Sequence, residues 1–198
     1  MATVGDAIST IIAGDSPVGS SEPAGPSEYG VLKVSAVGEE SFQEQENKAL
    51  ARPADFDSSL EVQPGFLLIT RANAMAKGVG RACIVEGTRR GLMLSDKTLR
   101  LVVNPDKARD RFLLQALRSR ICRRFIEGAA NGTEAKNISQ AKLRKAPVWL
   151  PSLNTQDAAL LILDAHAQVA ANLRANFESL RNVKNQLLAQ VLTGDTHV

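Results

Sequence analysis

The sequence predicts an α+β protein: a mixed β-sheet domain over residues 1–153, one long C-terminal helix of coiled-coil type over 154–194, and a tail of 195–198. Three observations carry that prediction. Apolar runs of strand length, VLKVSAV (31–37), GFLLIT (65–70) and LRLVV (99–103), recur in the first half of the chain between Gly, Pro and polar turns. One stretch of helical spacing follows, over 106–126. An unbroken helical stretch then closes the chain as far as Leu192.

Taken in order, Val4–Ile12 has apolar spacing that suits a short helix or a strand. Ala13–Ser27 is rich in Gly, Ser and Pro and reads as a loop. Val31–Val37 alternates and reads as a strand. Gly38–Ser59 is polar and acidic, contains Pro53, and reads as mostly irregular. A Pro64-Gly65 turn leads into Gly65–Thr70, a buried strand, and Arg71–Gly80 is a loop with two glycines. Arg81–Val85 and Leu99–Val103 are further strands with a turn at Gly87–Gly91 between them. Phe112, Leu113, Leu117, Ile121 and Ile126 predict one helix over Asp106–Ile126. Asn131-Gly132 signals a turn, a brief helix follows, and Val148–Leu150 is a last short strand ending at Pro151.

The closing helix carries a seam. Ile162, His166, Val169, Leu173, Asn176, Leu180, Val183, Leu187 and Gln190 alternate steps of four and three, the spacing of a heptad repeat. Phe177, Leu188 and Val191 widen the stripe. Asn154 or Thr155 is the expected N-cap and Gly194 the stop. A rod of about 37 residues reaches on the order of 55 Å at about 1.5 Å per residue. That overhangs a domain of about 150 residues, whose radius of gyration is roughly 15 Å, so pairing with a second helix is preferred to folding back.

Composition narrows the function. Apolar residues are 44% and charged residues 23%, which suits a packed core. Aromatics are only 4%, too few for a protein that reads single strands by base stacking. Cys83 and Cys122 have no metal-ligand spacing and suit a reduced, cytoplasmic chain. No secretory signal and no membrane span is expected. Charge is segregated. Residues 1–70 hold 3 Lys/Arg and 11 Asp/Glu, a net −8, whereas residues 71–145 hold 18 and 6, a net +12. Such a basic middle suits a polyanionic partner better than a merely solvated basic face.

Catalytic signals are thin. There is no P-loop, no nucleophile elbow, no zinc spacing and no adenine-methyltransferase tetrapeptide, and Gly78-Val79-Gly80 lacks the third glycine of a dinucleotide site. No cofactor, metal or catalytic residue is expected. The reading is a non-catalytic binding subunit.

Several stretches together resemble one family. Residues 132–156, GTEAKNISQAKLRKAPVWLPSLNTQ, are similar to the segment that leads from a target-recognition domain into a spacer helix in the DNA-specificity (S) subunits of type I restriction-modification systems. Gly14–Pro17 resembles the turn near the start of that domain, Tyr29–Val37 its first sheet strand, and Leu94–Arg100 a later one. Gly65–Ala74 with Val79–Val85 resembles the family's central core, with Phe66 where Asp is usual. Family members carry two recognition domains, each with a helix. One of each here looks like a half subunit, a natural single-domain form or a fragment.

The resemblance implies double-stranded DNA as ligand and an adenine methyltransferase (M) subunit as partner, joined in some systems by a restriction (R) subunit. It also implies two copies pairing through antiparallel helices to read a bipartite site. The expected DNA-binding residues are Arg71, Asn73, Lys77, Arg81, Arg89, Arg90, Lys97, Thr133 and Lys136, polar or basic residues near strand ends. Arg118, Arg120, Arg123 and Arg124, read as several faces of one helix, suit phosphate, the methyltransferase or solvent. The expected helix-pairing residues are Ile162, Val169, Leu173, Asn176, Leu180, Val183 and Leu187. The competing class is a coiled-coil adaptor whose basic domain binds RNA or an acidic protein.

Overall fold

The computed structural model describes residues 1–130 and 136–193. In chain order these form β1 (Ala2–Thr3), α1 (Val4–Ala7), β2 (Ile8–Ala13), β3 (Gly30–Leu32), β4 (Asn47–Ala49), β5 (Leu67–Thr70), β6 (Ala72–Asn73) and β7 (Ala82–Ile84). There follow β8 (Leu92–Met93), β9 (Thr98–Val103), α2 (Asp110–Arg118), α3 (Arg120–Ala129), β10 (Lys136–Asn137), α4 (Gln140–Arg144), β11 (Pro147–Val148) and α5 (Leu153–Thr193). The chain divides into two compact units, Met1–Gln156 and Asp157–Val198. The fold class is α+β with mixed sheets and one long C-terminal helix, as the sequence predicts.

The centre of the first unit is a four-stranded antiparallel sheet ordered β2-β9-β5-β7. A three-stranded sheet, β4-β3-β8, pairs β3 antiparallel to β4 and parallel to β8. Two short ribbons, β1 with β11 and β6 with β10, complete the pairing. Strand β5 is buried at all four residues because both its faces are covered. Leu67 and Ile69 enter a core with Leu113, Leu117, Cys122, Ile126 and Leu143 from the helices. Leu68 enters a second core with Leu32, Val62, Cys83, Leu92 and Leu94. Side chains alternate across a strand, so a run without charged residues, its one polar member Thr70 hydrogen-bonded, suits two covered faces.

Several expectations need correction. Val4–Ile12 is both alternatives in turn, a helical turn followed by a strand. The strand expected over Val31–Val37 stops at Leu32, and Val34–Ala36 closes a 3₁₀ turn. The acidic stretch 38–59 contains β4, and the loop 71–80 contains β6. The single helix over Asp106–Ile126 is two, α2 and α3, broken at Ser119, whose side chain accepts from the Cys122 N–H and caps the second. Arg118 therefore lies on a different helix from Arg120, Arg123 and Arg124. The restart also shifts the helical phase: Cys122 is buried and Ile121 is exposed.

Helix α5 begins earlier than expected. Ser152, not Asn154 or Thr155, accepts the free N–H of Thr155 at 3.3 Å and serves as the cap. The helix spans 41 residues, a rod of about 60 Å at about 1.5 Å per residue. Every residue from 161 to 192 is exposed. No helix among the described residues is long and apolar enough to cross a membrane.

Candidate nucleic-acid interface

The basic candidates fall into three groups. The first surrounds the β6–β10 ribbon. Lys136 lies opposite Asn73, and Asn137 opposite Ala72. The backbone of Arg71 is held from both sides, its N–H donating to the Lys97 carbonyl at 2.8 Å and its carbonyl accepting from Ile138 at 3.0 Å. Its guanidinium Nε donates to Asn137 Oδ1 at 3.3 Å. Arg71, Asn73, Lys97 and Lys136 are thus gathered at one edge, with Lys97 and Asn137 exposed. Asn137 is a member that the sequence reading left out, although it lies in the quoted N-I-S stretch. Asn73 is partly committed: its Oδ1 accepts from the Met75 N–H at 3.2 Å, and its amide lies where a side chain at Gly78 would stand.

The second group lines a cleft of about 320 Å³ between the Lys77–Ala82 segment and helices α2 and α3. Arg81 pairs with Glu39 at 2.9 Å. Arg123 donates to the carbonyls of Val79 at 2.7 Å and Lys77 at 2.6 Å and pairs with Glu127 at 3.2 Å. Arg118 donates to the carbonyls of Glu40 and Ala82, both at 3.1 Å. The turn that these arginines grip depends on Gly80, whose φ of +75° is left-handed and whose Cβ, if present, would meet Ile126 at 2.6 Å. Thr70 braces it from inside, donating to the Gly78 carbonyl and accepting from the Arg81 N–H.

The third group separates two neighbours that the sequence reading treated alike. Arg89 spends its guanidinium on the carbonyls of Glu28 and Arg90, both at 2.9 Å, and of Ala24 at 3.4 Å, and so staples loops together. Its own N–H donates to Glu44 at 2.6 Å. Arg90 is exposed. Thr133 lies outside the described residues. Among the described residues, no three His, Cys, Asp or Glu side chains gather as a metal site.

The sequence match points in one direction. Over 194 residues the chain is 34% identical to the type I restriction enzyme EcoEI specificity subunit of Escherichia coli, covering 96% of this chain and 32% of that protein. Nearly the whole of this chain is thus similar to part of a type I restriction-modification specificity subunit. It spans about a third of that curated relative. The fold agrees with the type I S subunit from M. genitalium (TM-score 0.56, 16% identity, 98% of this chain and 46% of that one). It agrees also with the HsdS subunit from Thermoanaerobacter tengcongensis (TM-score 0.57, 20% identity, 88% and 38%). No family model matches the sequence.

The closing stretch that resembles such subunits has a plain physical basis. Gln156 is fully buried, and its side-chain amide makes three hydrogen bonds. Oε1 accepts from the Arg109 N–H at 2.9 Å, and Nε2 donates to the carbonyls of Lys107 and Pro151, each at 2.9 Å. The first turn of α5 is thereby tied to the loop that opens α2. A buried amide so completely satisfied tolerates few replacements.

Proposed function

We propose that this chain is a sequence-specific double-stranded-DNA-binding specificity subunit. It acts in the cytoplasm, directs an adenine methyltransferase subunit to its site, and recruits a restriction subunit where one exists. The carrying observation is the match to a specificity subunit over 96% of the chain. Residues 1–153 read DNA and contribute no catalysis; residues 154–194 form the spacer. Arg71, Asn73, Lys97 and Lys136 at the β6–β10 edge, with Lys77, Arg81 and Arg90, bind the duplex, and Thr133 belongs with them. Arginine and lysine supply phosphate affinity, and arginine and asparagine supply base discrimination. The flipped adenine is the methyltransferase's to modify.

Two copies pair through antiparallel α5 helices along Ile162, Val169, Leu173, Asn176, Leu180, Val183 and Leu187, all of them exposed in the single chain. The pair reads a bipartite site whose gap is set by the rod. Inserting one heptad between Ala175 and Asn176 keeps the seam and adds about 10 Å. At roughly 3.4 Å per base pair the gap lengthens by about three pairs, with the half-sites unchanged. Methylation mapping in cells carrying the methyltransferase reads that spacing. Unchanged spacing with retained methylation removes the ruler role. In anisotropy titrations, tRNA binding ahead of duplex DNA favours the adaptor.

A further inference from the structure

The arginine cleft beside β7 holds four cations, Lys77, Arg81, Arg118 and Arg123, against two carboxylates, Glu39 and Glu127. These charges do unequal jobs. Arg118 is fixed by main-chain carbonyls, which set its plane without neutralising its charge, whereas Arg123 is held by two carbonyls and also paired with Glu127. Two guanidinium nitrogens on the cleft, Nε of Arg81 and Nε of Arg118, are buried with no hydrogen-bond partner. Native proteins leave few such donors. The carboxylate that pairs with Arg81 among the described residues, Glu39, is 74% exposed at its side chain, whereas Arg81 is only 32% exposed. An ion pair with one partner so far in water is weak and readily exchanged.

We propose that this cleft takes a backbone phosphate of duplex DNA, and that Glu39 occupies Arg81 as an internal stand-in that the phosphate displaces. This rests on the DNA-binding reading above and adds a regulating contact to it. A phosphodiester carries the same single charge as Glu39, so the exchange leaves the cleft's charge unchanged while giving guanidinium donors a tetrahedral acceptor. A strand of DNA suits the cleft better than a free anion. The N–H groups of Gly78, Val79, Gly80 and Arg81 are all spent, on Met75, Ala76 and Thr70, so no amide cage surrounds a small ligand. A polyanion is also held by the excess of 12 positive charges over residues 71–145.

The test is a double-mutant cycle on the full chain, by anisotropy with a random-sequence duplex in 50–300 mM KCl, on the order of the range over which phosphate contacts are resolved. Glu39→Gln binds about two- to fivefold tighter at low salt, the worth of one exposed ion pair. Arg81→Gln binds more weakly, and its log–log salt slope is shallower by about one. In the Arg81→Gln background, Glu39→Gln gains nothing. Glu40→Gln makes the same charge change next door and gives a smaller gain. A Glu39→Gln chain no tighter than its parent, a gain matched by Glu40→Gln, or a gain that survives Arg81→Gln overturns the proposal. Because the expected effect is tighter binding, misfolding cannot imitate it. A parent that binds no duplex overturns the DNA reading and this proposal together; a parent that binds but ignores Glu39→Gln overturns the cleft alone.

Discussion

The two units use leucine in opposite ways. In Met1–Gln156 the leucines of β5, β9 and α2 lie at or below 8% exposure, inside two cores. On α5, Leu173, Leu180 and Leu187 are 63%, 69% and 56% exposed. The first unit holds its stability within itself. The helix carries an apolar stripe that is exposed among the described residues, and helical stability in proteins comes mostly from packing such a stripe. One sequence thus contains a folded body and an exposed apolar stripe, the surface on which the proposed pairing rests.

The two uses of leucine separate under mutation. Leu113→Ala, in the first core, should cost about 3 kcal/mol in urea unfolding and leave self-association intact. Leu173→Asp with Leu180→Asp should do the reverse: a monomer in sedimentation, with the unfolding midpoint of the first unit unchanged. A stability loss from the helix pair, or a tolerated Leu113→Ala, would erase the distinction.

Gln156→Ala is expected to cost about 2 kcal/mol, because it strands the Arg109 N–H and two carbonyls in a buried place. Calorimetry measures it. A cost near zero means that water enters the gap left by the amide.

The smallest effect is chemical. Burial pushes the thiols of Cys83 and Cys122 up to about 11. Only thiolate reacts, so iodoacetamide at pH 8 should label neither until the first unit unfolds. The folded state favours the neutral thiols. Their contribution to stability is complete below the ordinary value of 9.0 and is lost as pH rises towards 11. Fast native labelling of either cysteine would show that its core opens.

Legibility followed the range over which each residue's environment is set. Strand β5 was readable because four consecutive non-charged residues fit two covered faces, and α5 because its heptad spacing is local. Strands β4 and β8 were not. Both owe their pairing to β3, some 15 and 60 residues away in sequence, and Asn47 is buried there only because its side chain bonds the Ala24 N–H and the Glu44 carbonyl. The break between α2 and α3 was hidden because Ser119 looks like any surface helix residue until its side chain turns to cap. Of the interface, the identity of the basic residues was readable but their commitments were not. Arg89 and Arg123 are spent on carbonyls that come close only after folding, and nothing in the local sequence separates Arg89 from Arg90.

Strand β5 has a consequence for cooperativity. It pairs with β7 on one edge and β9 on the other while its two faces belong to different cores. Neither core can melt while the other stays folded, because each would have to release the same four residues. Amide hydrogens of Leu67–Thr70 should therefore exchange with solvent only through global opening, as the slowest in the chain. The helical layer and the small sheet should be lost in a single transition.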